Sequence, residues 1–374
     1  MLTICDAIDF PSKTADEDCD SFSIARRLLQ HTAADWVSNV ETTFSALIFD
    51  HQAYVLTVNQ NEYANAIICS PYTTYVTYPL GELKKFSKLW IKLLVLINSA
   101  IMFPLCRLTR FNKIVQINNN LNSLLKHPEE FISLLPSITK AVIKKYPLHA
   151  LTFFRVNEVL DKTFLKSLTE NGYHIFPDRT AHIFTPGNFM KRSHTKRDMT
   201  LLRKTSYQIM LHEALTEEDA LRFAELYQFI FINKHAKKNP IYTAYYFANA
   251  ITHRWHTYVA LRNAEGRIDG FISWFDKEGR MICGPLGYDP DVDRKMGLYR
   301  QLVALCLKRA DEKKIIFNMG GGSTEFKLNR GSTETLEYTA VYYKHLPFYR
   351  KIPWKTFQWI FNNMLKKIAK NTQF

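Results

Sequence analysis

Residues 320–338 read GGGSTEFKLNRGSTETLEY, directly after the apolar run Ile315-Ile316-Phe317. Gly320, Gly321 and Gly322 expose main chain with no side chain to hold a ligand off. Phe326 and Lys327 follow, then Arg330, and at the end Glu337 and Tyr338. Bare backbone beside a lysine lets the ammonium approach a bound carbonyl. A fixed cation at a developing oxyanion contributes about a few kcal/mol to a transition state. Lys327 is therefore a candidate catalytic cation with Phe326 beside it, and Gly320, Gly321, Gly322 and Arg330 are candidate contacts to an anionic co-substrate. The competing reading is a glycine-rich hairpin that carries a surface lysine.

A second constellation lies upstream. Asp293-Arg294-Lys295-Met296-Gly297-Leu298-Tyr299 joins a strand-like run to a helical pattern. Gly297 permits close backbone approach, and Arg294 and Lys295 add cations where a helix N-terminus offers free N–H groups. Together they suit a pyrophosphate. The loop 234–242 carries Lys234, Asn239 and Tyr242, which are candidates for the acceptor side. Tyr288, Asp289 and, in the first half, Tyr72 are further substrate-binding candidates. Cys283 and Cys306 sit in apolar runs and read as core thiols, not nucleophiles.

The elements that must position these residues follow from composition and periodicity. The chain has 374 residues, 47% hydrophobic and 22% charged, which fits two globular domains. A net charge of +14 favours an anionic partner. The six cysteines form no CxxC pair, so no metal site is expected and a reducing, cytoplasmic location follows. The N-terminus lacks the pattern of a secretory signal. Residues 89–108, LWIKLLVLINSAIMFPLCRL, carry Lys92 and then 14 uncharged residues, 93–106. That run is shorter than a bilayer-spanning helix needs, and it reads as a buried core helix; an interfacial helix flanked by lysines and arginines is the other reading.

Alternating or β-branched runs predict strands at 44–49, 53–59, 66–79, 150–157, 173–185, 207–214, 257–263, 268–277, 280–289, 314–320 and 338–345. Helical periodicity predicts helices at 22–30, 83–105, 118–125, 128–145, 160–172, 216–235, 242–253, 295–312 and 354–370. Residues 186–198, PGNFMKRSHTKRD, read as a linker. The order of elements recurs in each half. The expected fold is α/β (α+β), with a domain at 1–190 and a second at 191–374, each a mixed, mainly antiparallel sheet flanked by helices.

Arg294-x-x-Gly297-x-Tyr299 resembles the Arg/Gln-x-x-Gly-x-Gly/Ala loop of GNAT acyltransferases, with tyrosine in place of the last small residue. The order strand, glycine run, Phe326-Lys327, Arg330-Gly331, Glu337-Tyr338 resembles the C-terminal half of the FemABX-like transferases, bacterial proteins with two GNAT-like domains in tandem. The resemblance implies that the second domain binds the donor and carries the chemistry, while the first, degenerate domain forms the acceptor side. It implies an N-acyltransferase that moves an acyl group from acyl-CoA or an acyl carrier protein thioester to a small-molecule amine by direct attack, with Lys327 at the oxyanion. Such a reaction needs proton handling. Glu337, Asp269, Asp289 and His345 are the candidate bases and Tyr299, Tyr288 and Tyr338 the candidate acids, and the sequence does not rank them. An aminoacyl-tRNA donor suits the positive charge equally. The reading from another class is a basic, non-catalytic module on a degenerate transferase fold, for RNA or an anionic membrane; the expected location is cytoplasmic, with peripheral contact on the inner membrane as the variant.

Overall fold

A computed structural model describes residues 2–11, 20–49, 51–83, 88–121, 127–187, 189–233, 237–277 and 279–362. The chain forms two compact units. One comprises Met1–Ala34, Asn39–Asp178 and Glu337–Phe374; the other comprises Asp35–Ser38 and Arg179–Leu336. The chain therefore crosses between units at 34/35 and 38/39, at 178/179 and again at 336/337, whereas the sequence reading placed one boundary at 190.

From its start the chain forms β1 (Thr3–Cys5), α1 (Asp20–Leu29), α2 (Ala33–Trp36), β2 (Thr43–Phe49), β3 (Gln52–Val58), α3 (Tyr78–Gly81) and α4 (Leu89–Leu108). It continues through β4 (Ile114–Ile117), α5 (Glu129–Ser133), α6 (Leu135–Lys145), β5 (Ala150–Asn157), α7 (Lys162–Glu170) and β6 (His174–Phe184). In the first unit β1 to β4 are antiparallel neighbours and β4 runs parallel to β5. Helix α6 buries Leu135, Ile138, Thr139 and Val142, the i, i+3, i+4, i+7 stripe of an amphipathic helix. That stripe joins Leu56, Val115, Phe131, Leu151, Phe153 and Phe164 in one core.

The second unit adds α8 (Ser193–Arg203), β7 (Gln208–Leu211), α9 (Asp219–Gln228), α10 (Ala244–Thr252), β8 (Thr257–Arg262), β9 (Ile268–Lys277), β10 (Arg280–Tyr288), α11 (Leu298–Lys313), β11 (Ile316–Asn318), α12 (Thr324–Leu328) and β12 (Ser332–Tyr342). A last helix, α13 (Phe348–Ile360), returns to the first unit. Strands β7 to β10 are antiparallel neighbours and β10 runs parallel to β11. The two units thus share one strand grammar. Each is completed by an antiparallel strand from the far half of the sequence: β12 pairs with β5 through residues 337–342, and β6 pairs with β11 through Ile183 and Phe184. That exchange explains why residues after 336 belong with the first unit.

Several expectations are corrected. Residues 66–79 form no strand: from Pro71 the segment is helical, with a π-helical stretch at Thr73–Thr77. Its β-branched and aromatic residues face the core from a helix, where Tyr72, Tyr75 and Val76 are buried. The glycine run opens a short helix, α12, in place of a hairpin. Residues 186–198 are no linker, because α8 begins at Ser193. Helix α4 is no core helix: among its residues only Ser99, Met102 and Cys106 are buried.

His256, just before β8, gives the second unit an acid sensitivity. Its Nε2 lies 3.3 Å from the Tyr246 hydroxyl, and burial pushes its pKa down to about 3. The unfolded imidazole titrates near 6.5. Between those values the unfolded chain holds the extra proton. Stability is therefore full above pH ~6.5 and falls toward pH ~3, by about 1.4 kcal/mol per pH unit. The urea midpoint of the second unit should drop between pH 7 and pH 5, and drop less in His256→Gln. Equal acid sensitivity in the two proteins would count against this assignment.

Candidate functional site

The second unit contains a cavity of about 1130 Å³ at the N-terminal end of α11. Its floor is set by Gly297, which adopts φ +61 and starts α11. This left-handed conformation favours glycine, and a Cβ here would also press on the end of the Leu201 side chain, 2.7 Å away. The preceding turn is fixed by Asp293, whose Oδ1 accepts the Lys295 N–H at 2.9 Å. No side chain caps the 16-residue α11, so its first N–H groups and the positive end of its dipole face the cavity region.

Each wall has a local cause. Beyond Gln228, α9 loosens into a π-helical turn, Phe229–Asn233, which brings Phe229, Ile230 and Asn233 to the cavity. Of β10, only residues 280–282 pair with β11, and β10 runs on to Tyr288. That continuation delivers Tyr288 and Asp289 to the rim. Helix α8 supplies His194 and Arg197, α11 supplies Tyr299 and Arg300, and α12 with the turn after it supplies Glu325, Phe326, Asn329 and Arg330.

The electrostatics centre on Asp198, a buried residue of α8. Its Oδ1 accepts from Arg300 Nε at 2.7 Å, and its Oδ2 accepts from Arg330 Nε at 2.6 Å and pairs with Nη2 at 2.6 Å. Arg330 Nη1 donates to the Phe326 carbonyl at 2.7 Å, and the guanidinium lies 3.3 Å from the centre of the Phe326 ring. One carboxylate thus locks two arginines that line the cavity. Arg197, Arg294 and His194 complete a basic wall. The Tyr299 ring packs 4.7 Å from Phe326 and 5.9 Å from Tyr288. Burial pushes the Tyr299 hydroxyl far above its ordinary range, so it is a neutral O–H donor at physiological pH.

The cavity brings together Arg294, Gly297, Tyr299, Phe326, Arg330, Tyr288 and Asp289 of the sequence candidates. Others are placed elsewhere. Lys327 is buried, and its ammonium donates to the carbonyls of Met319 at 2.9 Å, Gly320 at 3.0 Å and Gly321 at 2.7 Å. An ammonium has three donors, and all three hold the glycine turn. Lys327 is therefore a positioning residue. Gly320, Gly321 and Gly322 do not line the cavity; a Cβ on Gly321 would stand 3.0 Å from the Thr180 carbonyl, so its bareness serves close packing. Lys295 is exposed and outside the lining, with its N–H fixing the turn.

Asp269 accepts from Tyr207, Asn263 and Arg267 at 3.0, 3.1 and 2.9 Å and is a structural hub away from the cavity. Asp289, although on the wall, accepts from Arg222 at 2.6 Å and from the Asp291 N–H at 3.0 Å. Glu337 is fully buried on β12 opposite Asn157, and Tyr338 donates to Glu158 at 3.1 Å; both belong to the first unit, as does the buried Tyr72. His345 Nε2 lies 2.9 Å from the His149 carbonyl in that unit. Asn239 donates to the Phe231 carbonyl at 2.9 Å, and Tyr242 is packed among Tyr227, Tyr246 and Phe247. Lys234 lies outside the described residues. Burial pushes the thiols of Cys283, to about 11, and Cys306 upward, which suits core residues.

Sequence reasoning missed His194, Arg197, Asp198, Arg300 and Asn233. The segment holding the first three was read as a linker. Their spacing, i, i+3 and i+4, puts one histidine, one arginine and one aspartate on a single helix face, and that was the available signal.

No protein-family model matches the chain, and no curated protein matches it. Among solved structures, L-PGS from Bacillus licheniformis is similar at 14% identity, with 63% of this chain and 78% of that chain covered and a TM-score of 0.46. FemX is similar at 12% identity, with 60% and 79% covered and a TM-score of 0.47. A GCN5-related N-acetyltransferase from Kribbella flavida is similar at 12% identity, with 62% and 81% covered and a TM-score of 0.36.

Proposed function

We propose that the second unit is an acyltransferase site whose donor carries phosphate groups, coenzyme A thioesters being the class that suits it best. The observation that carries this reading is the convergence, in one cavity, of the uncapped N-terminal end of α11 with Arg197, Arg294, Arg300 and Arg330. A pyrophosphate seated there would place the donor's reactive end toward Tyr299 and Phe326. In direct transfer, the acceptor amine attacks the thioester carbonyl, the carbon–sulfur bond breaks, and the thiolate takes a proton. The neutral Tyr299 hydroxyl would donate a hydrogen bond to the leaving sulfur, whose proton would come from solvent, and the exposed wall carboxylate of Glu325 would accept one from the amine. In this reading Lys327 holds the turn that carries Phe326, its ammonium being engaged by the carbonyls of Met319, Gly320 and Gly321.

Calorimetric titration with coenzyme A, an acyl carrier protein and tRNA tests the reading. Saturable coenzyme A binding is expected, weakened about tenfold in Arg294→Ala, which removes an exposed side chain and one phosphate contact. Absence of binding to coenzyme A would overturn the reading. Binding of the carrier or tRNA in its place would assign a macromolecular donor.

A further inference from the structure

The first unit carries an apolar surface that neither its core nor the proposed site uses. Helix α4 is long and apolar enough to cross a bilayer by length and composition, with a mean hydropathy of 1.9 over a window that is only 17% buried. Ser99, Met102 and Cys106 form its stripe toward the protein, with the Ser99 hydroxyl donating to the Val76 carbonyl at 3.1 Å. The opposite face exposes Leu89, Trp90, Leu93, Ile97, Ile101 and Leu108. Exposure reaches 58% at Ile97 and 79% at Leu108, more than a soluble surface ordinarily leaves in one row. Helix α13 packs beside α4 and adds exposed Phe348, Tyr349 and Trp359.

The position of this face is rigid. Buried Arg350 of α13 donates to the carbonyls of Thr109 and Arg110 at 3.1 and 2.8 Å, and to that of Leu148, so it caps the C-terminal end of α4. Charge then selects the occupant. The sequence has no aspartate or glutamate between Glu82 and Glu129, nor any after Glu337. Lys88, Lys92, Arg107 and Arg110 flank the α4 face, and Lys351 and Lys355 lie on α13. A second copy of this chain would bring like charges together, whereas anionic lipid headgroups would neutralise them.

We propose that this face docks on an anionic phospholipid bilayer, with α4 lying in the headgroup plane. The stripe through Ser99, Met102 and Cys106 stays on the protein, so the helix is not free to stand across the membrane. Its outer side chains would enter the boundary between headgroups and acyl chains, and the flanking lysines and arginines would sit at phosphate level.

Co-sedimentation of the full chain with phosphatidylcholine vesicles, with and without phosphatidylglycerol, tests this. Binding to the anionic vesicles is expected, weakened by salt and reduced at least about tenfold in Leu93→Glu/Ile97→Glu. Both positions are exposed, so the variant should keep its fold, and unchanged circular dichroism and coenzyme A binding check that independently. Vesicle binding that is absent, or equal in the variant, overturns the proposal. So does a wild-type dimer in sedimentation velocity that the variant dissolves, because the face would then be an interface between copies. Retention on membranes through alkaline carbonate overturns the in-plane placement.

Discussion

A Lys327→Met protein should lose about 2–4 kcal/mol of stability in urea while its folded fraction still binds coenzyme A with near-normal affinity. The substitution removes the donors that serve the carbonyls of Met319, Gly320 and Gly321. A buried acceptor left without a donor costs about 1–3 kcal/mol. Gly320 retains a second donor, the His182 N–H at 3.2 Å, so the three losses are unequal. Methionine offsets part of the cost because it buries no charge. Donor binding is spared because the ammonium faces the turn and not the cavity. The opposite pattern, unchanged stability with turnover lost, would return Lys327 to the reacting carbonyl and remove its positioning role.

The case of Lys327 shows where sequence and structure part. The order glycine run, aromatic, lysine, arginine marked a place where chain and cation meet, and they do meet. What the order could not show is which atoms the ammonium faces. A lysine six to eight residues from a set of carbonyls can turn back on them or reach outward, and only the path of α12 decides. Gly297 was legible because its reason is local: a left-handed residue before a helix favours glycine. Arg294 and Tyr299 came with it, since a helix start fixes its neighbours. Asp269 and Glu337 were misread because a carboxylate at a strand position looks the same whether it serves catalysis or holds a buried network. Asp198 was missed for the reverse reason, standing in a run so polar and basic that it read as a connector.

The strand grammar was partly legible for a similar reason. Alternation found β2, β3, β5, β8, β9 and β10, whose pairing partners are mostly near in sequence. It could not reveal that β12 completes the sheet of the first unit, because pairing between residues 337–342 and 151–157 leaves no local trace. Residues 66–79 failed because β-branched and aromatic types report burial as well as strand geometry, and tertiary packing chose a helix.

Asp198→Ala should have the other large effect, because it removes the one carboxylate that holds two arginines. Arg330 is 3% exposed, and burial already pulls its guanidinium down from its usual range against the opposing pull of Asp198. Without Asp198 a charge remains buried with the Phe326 carbonyl as its recorded acceptor and the Phe326 ring against its face. Breaking a buried pair in this way costs about 3–5 kcal/mol. Arg300 would swing toward solvent, and affinity for coenzyme A should fall at least about tenfold. A double variant separates the two roles. Asp198→Ala/Arg330→Met removes the orphaned charge, so most of the lost stability should return. Affinity should not return, because the guanidinium that met the phosphates is gone. Recovery of both together would mean that the arginine pair only props up α8 and α12. Recovery of neither would mean that Asp198 stabilises the unit through α8 itself, leaving the latch without a part in binding.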